Sequence, residues 1–367
     1  MRVLAAALAL LVLIVGTSAA ASSEDYASVQ ADRFGFGALE RAGEPYTGSQ
    51  SIREGLNVDG VLDYFRDTVR SSAGDLLRGS LRSGLLILSI SLFFSLSESV
   101  REGTGGDPMD VGAMAASLAV TAVAVGDIHS VMAMGEETIF RMESLGDVLL
   151  PAVTMAAAAG GSPAGALARE GAAILFSDAL IHLIRRLLIP LCYAFVALSA
   201  AWAALGNDGL KRIGGLVKWL CATLLSAFLL VYIAYLNLSG VIAGGADAAT
   251  VKAAKFTISN LVPVVGGVIS DTAETLLAGA AVLRNAAGVF GMLAVVGICL
   301  LPFLRIGLHY LLYRCTAALA AVVAGKGRLS GLIEDLSAAF GLVLAMTGSC
   351  AALLLIAMIA SVSSVSV

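Results

Sequence analysis

The sequence predicts an all-α protein that crosses a membrane about seven to nine times. Three observations carry that prediction. Of 367 residues, 58% are hydrophobic and only 14% charged. The mean hydropathy is +0.91, and the apolar residues fall in runs separated by short polar breaks. Soluble domains hold roughly 45–50% apolar residues, and a single core stops growing at roughly 250–300 residues, too few to hide so many runs. A bilayer is therefore the expected solvent for most of the chain.

At the N-terminus, Met1-Arg2, an apolar run from Val3 to Gly16 and the small residues Thr17 to Ser22 have the layout of a signal peptide over residues 1–21, cut after Ala21. An uncleaved first anchor helix is the alternative. Cleavage places the mature N-terminus outside the cytoplasm and removes Arg2, leaving 22 basic against 27 acidic residues. That balance argues against nucleic-acid binding.

Residues 22–82 form an exported acidic segment with ten acids and seven bases. Its first part, with Gly35, Gly37, Gly43, Pro45 and Gly48, reads as extended or disordered. Val58, Val61, Leu62, Phe65 and Val69 then recur at helical spacing, so an amphipathic helix is expected over about 58–82. Such a helix serves as a lid on the membrane surface or as a docking face for a partner.

A polytopic membrane domain is expected over residues 83–367. Spans need about 20 apolar residues, and the runs 187–205, 219–238, 287–304 and 338–360 approach or meet that length. Shorter runs at Gly84–Leu96 and Val111–Gly126 carry no charge, and 306–324 holds Arg314. Val148–Gly161 and Leu261–Ala281 each carry a proline near the start, the pattern of a broken or re-entrant helix. Cys192, Cys221, Cys299, Cys315 and Cys350 lie in or beside these runs without a C-x-x-C pair and read as small buried hydrophobes.

One spacing recurs. Pro151 and Pro263 are 112 residues apart, as are Pro190 and Pro302, with Leu149-Leu150-Pro151 matching Leu261-Val262-Pro263 and Leu188-Ile189-Pro190 matching Leu300-Leu301-Pro302. An internal duplication of about 145–240 and 257–361, parallel or inverted, accounts for this. So does chance, in a chain so rich in Ala, Leu, Gly and Val.

Enzymatic fingerprints are missing: the sequence has three histidines and no zinc helix, phosphate loop or nucleophile elbow. No catalytic residue, metal site or cofactor is expected. Ionisable groups in or near spans are the remaining signal, because burying one in hydrocarbon costs several kcal/mol. Asp178 and His182 share a helix face as i, i+4 partners beside Arg185 and Arg186, which fits a relay or an interfacial snorkelling cluster. Asp271, Glu274 and Arg284 follow Pro263, and Arg305, His309 and Arg314 surround another break. These groups line a watery interior or anchor an interface. The candidate pore or broken-helix positions are thus Pro151, Asp178, His182, Pro263, Asp271, Glu274 and Arg284.

The stretch FTISNLVPVVGGVISDTAETLLAGAAVLRNAAG, Phe256 to Gly288, resembles the signature region of the stage III sporulation protein AE family, and Ser89–Glu98, SISLFFSLSE, extends the likeness. The resemblance implies a non-enzymatic, membrane-embedded part of the secretion-like channel complex joining mother cell and forespore, needed for forespore development. Its implied partners are the other stage III sporulation A-operon proteins, stage II sporulation protein Q across the intermembrane space, and the lipid bilayer. The implied location is the mother-cell membrane around the forespore. A stand-alone secondary transporter for a small solute is the alternative, with a site near half-helices at Pro151 and Pro263.

Overall fold

The computed structural model describes residues 36–47, 58–104, 111–159, 163–261, 266–323 and 327–363; the side chains of 239–284 are among those outside the description. The expected signal peptide, residues 1–21, and Pro263 also lie outside the described residues. Every described element is a helix: α1 (Phe36–Thr47), α2 (Val58–Thr104), α3 (Val111–Ala159), α4 (Pro163–Leu183), α5 (Ile189–Leu205), α6 (Asp208–Leu261), α7 (Gly266–Val323) and α8 (Arg328–Ser363). A single π turn, Ile184–Leu188, joins α4 to α5.

Five helical stretches are long and apolar enough to cross a bilayer: Gly112–Ala156, Glu170–Leu205, Asp208–Leu238, Asn285–Val322 and Arg328–Ile359. A shorter apolar stretch, Leu81–Leu96, lies on α2. The chain is a multi-pass α-helical membrane protein. Its helices exceed what crossing requires: α7 has 58 residues, about 87 Å at 1.5 Å per residue, against a hydrocarbon core of about 30 Å. Runs that look separate in the sequence are therefore continuous in the backbone, 111–126 with 148–159 in α3 and 287–304 with 306–323 in α7.

Side-chain pairings fix the helix directions. Asp127 meets Tyr313 and Met142 meets Cys299, so α3 and α7 are antiparallel. Gly341 faces Tyr310 and Gly348 faces Phe303, so α8 runs back along α7. Cys192 reaches the Ala339 carbonyl while Gly331 sits under Trp202, making α5 antiparallel to α8. Phe176 packs on Tyr232 and Phe195 lies over Gly214, which folds α6 back along α4 and α5. Val61 and Phe65 join Leu293 in one cluster while Gly84 abuts Leu312, so α2 runs with α7. From α2 to α8 the direction alternates. The α4–α5/α6 hairpin and the α7/α8 hairpin consequently point the same way, the geometry of a parallel pair and not of an inverted one.

Local chemistry explains the joints. Pro190 cannot donate to the Arg186 carbonyl, and its ring crowds that turn; the widened π turn just before it, closed by the Ile189 N–H on the Ile184 carbonyl, absorbs the mismatch. Gly206 ends α5 at φ 70°, a left-handed cap open to glycine, with its N–H on the Trp202 carbonyl at 2.8 Å. Asn207 Oδ1 accepts from the Gly209 N–H at 2.9 Å and starts α6. By contrast α3 runs on past Pro151 to Ala159, with that proline on an exposed face. The broken helix expected at Pro151 is corrected accordingly.

The N-terminal segment also departs from expectation. Residues 36–47, which read as extended or disordered, form α1. Leu39, Ala42, Gly43 and Tyr46 fall at i, i+3, i+4 and i+7; Leu39 is fully buried, Gly43 lies against Phe290, and Gly297 admits the Tyr46 carbonyl. Tyr64 donates to the Pro45 carbonyl at 3.2 Å and ties α1 to α2. The amphipathic face of α2 is spent within the chain, Val61 and Phe65 packing with Leu293 on α7. The expected boundary at residue 82 falls inside this one helix.

Burial separates the helices by role. In its most apolar stretch α8 is 61% buried and α6 only 22%. α8 is thus the central helix, whereas α6 turns Leu216, Trp219, Leu230, Val231 and Leu238 outward as a lipid-facing surface.

Candidate functional site, a polar cavity between three helices

Asp127, Ser130, Met134, Thr138 and Arg141 recur every three or four residues on α3, so they share one face. On α7, Pro302, Arg305 and His309 do the same, with Leu301 beside them. The two faces meet around a cavity of about 560 Å³, with Ser71, Ser72 and Gly79 of α2 along its third side. Among the described residues, the α2 side is lined by small ones. Pro302 contributes too, since without an N–H it leaves the Ile298 carbonyl short of its helical donor. A cavity of this volume with several polar groups is suited to hold water.

Its polar groups are arranged along the helix axes. At one end the Tyr313 hydroxyl donates to Asp127 Oδ2 at 2.8 Å. Tyr313 is fully buried and sits edge-on against Phe340, centroid to centroid 4.8 Å. One turn earlier His309 Nδ1 donates to the Arg305 carbonyl at 2.9 Å. A carbonyl only accepts, so Nδ1 bears the hydrogen and Nε2 is the basic nitrogen of the neutral ring. Toward the other end Arg141 donates to Glu137 as an i, i+4 pair, with side chains 50% and 61% exposed. Because α3 runs antiparallel to α7, these charges lie level with the apolar run of α7. Facing lipid there, each would cost about 2.5–3.5 kcal/mol on insertion scales. Facing a wet cavity, they retain solvation.

The structure places the sequence candidates unevenly. Arg305 and His309 line the cavity. Arg314 instead pairs with Glu334 of α8 at 3.1 Å. Asp178 and His182 do meet, at 3.3 Å, but with side chains 67% and 57% exposed on the outer face of α4, away from the cavity. Pro151 is exposed on α3. Asp271, Glu274 and Arg284 have their backbones in α7, and their side chains lie outside the described ones. Of the five cysteines four are buried, and Cys315 is exposed.

Sequence reasoning missed Asp127, Glu137, Arg141 and Tyr313. The stretch 127–147 looks like a polar break between two apolar runs, and only its period of three to four residues reveals a helix face. That signal was present in the sequence.

Comparison with known proteins adds a family. The sequence profile described as stage III sporulation protein AE matches residues 53–365. The stage III sporulation protein AE of Bacillus subtilis (strain 168) is 22% identical over 203 residues, covering 55% of this chain and 51% of that protein. The chain thus spans about half the length of the curated relative it matches. No solved structure matches it.

Proposed function

This chain belongs to the stage III sporulation protein AE family, and from that premise we propose that it is the membrane-embedded component of a secretion-like channel complex between mother cell and forespore. A role in sporulation and a multi-pass membrane character are the ground for the reading. Its particular support is the cavity lined by Asp127, Glu137, Arg141, Arg305 and His309. Opposed charges around a cavity between spanning helices suit a protein that passes something across the membrane better than one that only anchors partners. In this reading the chain sits in the mother-cell membrane that surrounds the forespore, with its N-terminus outside the cytoplasm. The other stage III sporulation A-operon proteins are its neighbours, and stage II sporulation protein Q meets the assembly from the forespore side.

The test is genetic and biochemical together. Clean deletion in the endospore-forming host should stop development of the engulfed forespore, and site-specific photocrosslinkers on the chain should capture A-operon proteins. Normal sporulation after deletion, or crosslinks to lipid alone, would contradict the assignment. The rival reading, a stand-alone transporter, relied on half-helices at Pro151 and Pro263. With α3 unbroken at Pro151 it loses the first of them. Asp271, Glu274 and Arg284 remain proposed lining positions, to be changed alongside Arg305 in the complementation assay.

A further inference from the structure

We propose that the outer face shared by α3 and the stretch from α4 into α5 docks a second copy of this chain, in a two-fold dimer that sets Glu136 of each copy against Arg186 of the other. The proposal does not rest on the channel reading. It starts from charges at a depth that lipid does not suit. Phe176 packs on Tyr232 and Phe195 lies over Gly214, so Arg185 and Arg186 stand opposite about residue 223 of α6. That is the middle of the apolar stretch Asp208–Leu238. Both arginines are exposed there. Among the described residues, no ion pair or side-chain hydrogen bond is made by Arg185, Arg186 or Glu136. The edges of a hydrocarbon core lie about 15 Å from its middle, beyond the reach of a snorkelling side chain. At the same depth α6 carries no charge from Trp219 to Leu238. The π turn Ile184–Leu188 and the exposed Pro190 lie on the charged side too, and irregular backbone at membrane depth is tolerated where protein or water covers it.

The face supplies its own counter-charge. Asp127 on Tyr313 and Met142 on Cys299 put Glu136 level with Arg305. Gly348 against Phe303 and Gly341 against Tyr310 put Arg305 level with Met346. Cys192 at Ala339 and Trp202 at Gly331 then carry that level to about residue 186. Glu136 and Arg186 thus share a depth to within about one 5.4 Å turn. They also share a surface. α3 packs against both α4 and α5, and Glu136 is near enough to Tyr193, two turns beyond Arg186, to act electrostatically on its phenol. Glu137 lines the cavity, whereas Glu136, about 100° away round α3, is exposed outside it. A two-fold axis along the bilayer normal leaves every residue at its own depth, so across an isologous interface groups on one level pair with each other. An acid and a base on neighbouring helices at one level meet that condition, and the face is complementary to itself. Arginine's planar fork suits a carboxylate in such a seam. Docking also covers Arg185 and the Asp178–His182 pair, which lies one to two turns earlier on α4.

Full-length chains, labelled with a donor or an acceptor dye and reconstituted together into phosphatidylethanolamine and phosphatidylglycerol vesicles, test this by energy transfer as added lipid dilutes the protein. Wild-type chains should pair, losing transfer only at high dilution. E136R and R186E each set like charges against one another across the seam, and each should weaken self-pairing by about thirtyfold or more, the scale of breaking a buried charge pair. Mixed together, E136R chains and R186E chains should pair as the wild type does, because each supplies the mate the other needs. That recovery also shows that both variants fold. L230A, on the lipid-facing side of α6, should leave pairing unchanged. Wild-type chains that stay single at every density, as they would with lipid or a different protein on this face, would overturn the dimer. So would undiminished self-pairing in E136R and R186E, equal weakening in L230A, or a mixture that pairs no better than its parts.

Discussion

Toward α8, α7 is packed closely along its length; toward α2 and α3, the same helix borders a polar cavity between Leu301 and His309. On the α8 side, glycines admit rings: Gly341 lies under Tyr310 and Gly348 under Phe303, each leaving about 3.2 Å for a Cβ. Ser337 donates to the Tyr310 carbonyl at 3.2 Å, and Phe340 is 1% exposed. On the other side Pro302, Arg305 and His309 face a cavity of about 560 Å³. The contrast teaches that one helix can supply rigidity and a polar path together, by dividing its faces between small or aromatic residues and ionisable ones. In a bilayer the hydrophobic effect does not drive helices together, so close packing carries the association on the dry side.

Four substitutions probe that division. Phe340→Ala should have the largest effect, removing the ring that supports both His309 and Tyr313; a loss of about 3–5 kcal/mol is expected for a buried aromatic, read as a lower thermal midpoint by size exclusion in detergent. Tyr313→Phe keeps the ring and removes the donor to Asp127. Hydrogen bonds to charged groups are worth about 1.5–3 kcal/mol, and the same midpoint should fall by less than for Phe340→Ala. Gly297→Val would press on the Tyr46 carbonyl. Overpacking of this kind costs about 1–3 kcal/mol, and here it should free α1, exposing residues near Thr47 to limited proteolysis. Arg141→Gln breaks an exposed pair, where about 0.2–1 kcal/mol is typical, so stability should barely change. A large loss in Arg141→Gln, or a negligible one in Phe340→Ala, would break the comparison between the two faces.

Much of this division was legible in the sequence, though unevenly. Hydropathy alone marks the α-helical membrane architecture, and the resemblance of Phe256–Gly288 to a sporulation family agrees with the match over residues 53–365. Span boundaries were harder to read, because the helices outrun the bilayer: a charged stretch such as 127–147 normally signals a loop, yet here the helix continues, and three of its charged residues, Asp127, Glu137 and Arg141, line the cavity. α1 was hidden by its glycines and proline. Gly43 looks like a breaker in isolation, but it is the residue that lets α1 approach Phe290. Asp178 and His182 show the reverse error, since a correct i, i+4 pairing says nothing about which way the pair faces. Facing is decided by α6 and α8 packing elsewhere, a long-range fact that local spacing does not contain.

Solvent access along α7 tests the central claim most directly. In full-length chain freed of its native cysteines, including the exposed Cys315, single cysteines at Ser130 and Glu137 report the cavity and one at Ser337 reports the α7–α8 seam. A small charged methanethiosulfonate, offered from either side of native membranes, should modify S130C and E137C rapidly and leave S337C unmodified until the protein is denatured. Rapid modification of S337C, or protection of both cavity positions, would contradict a wet wall and a dry wall on one helix.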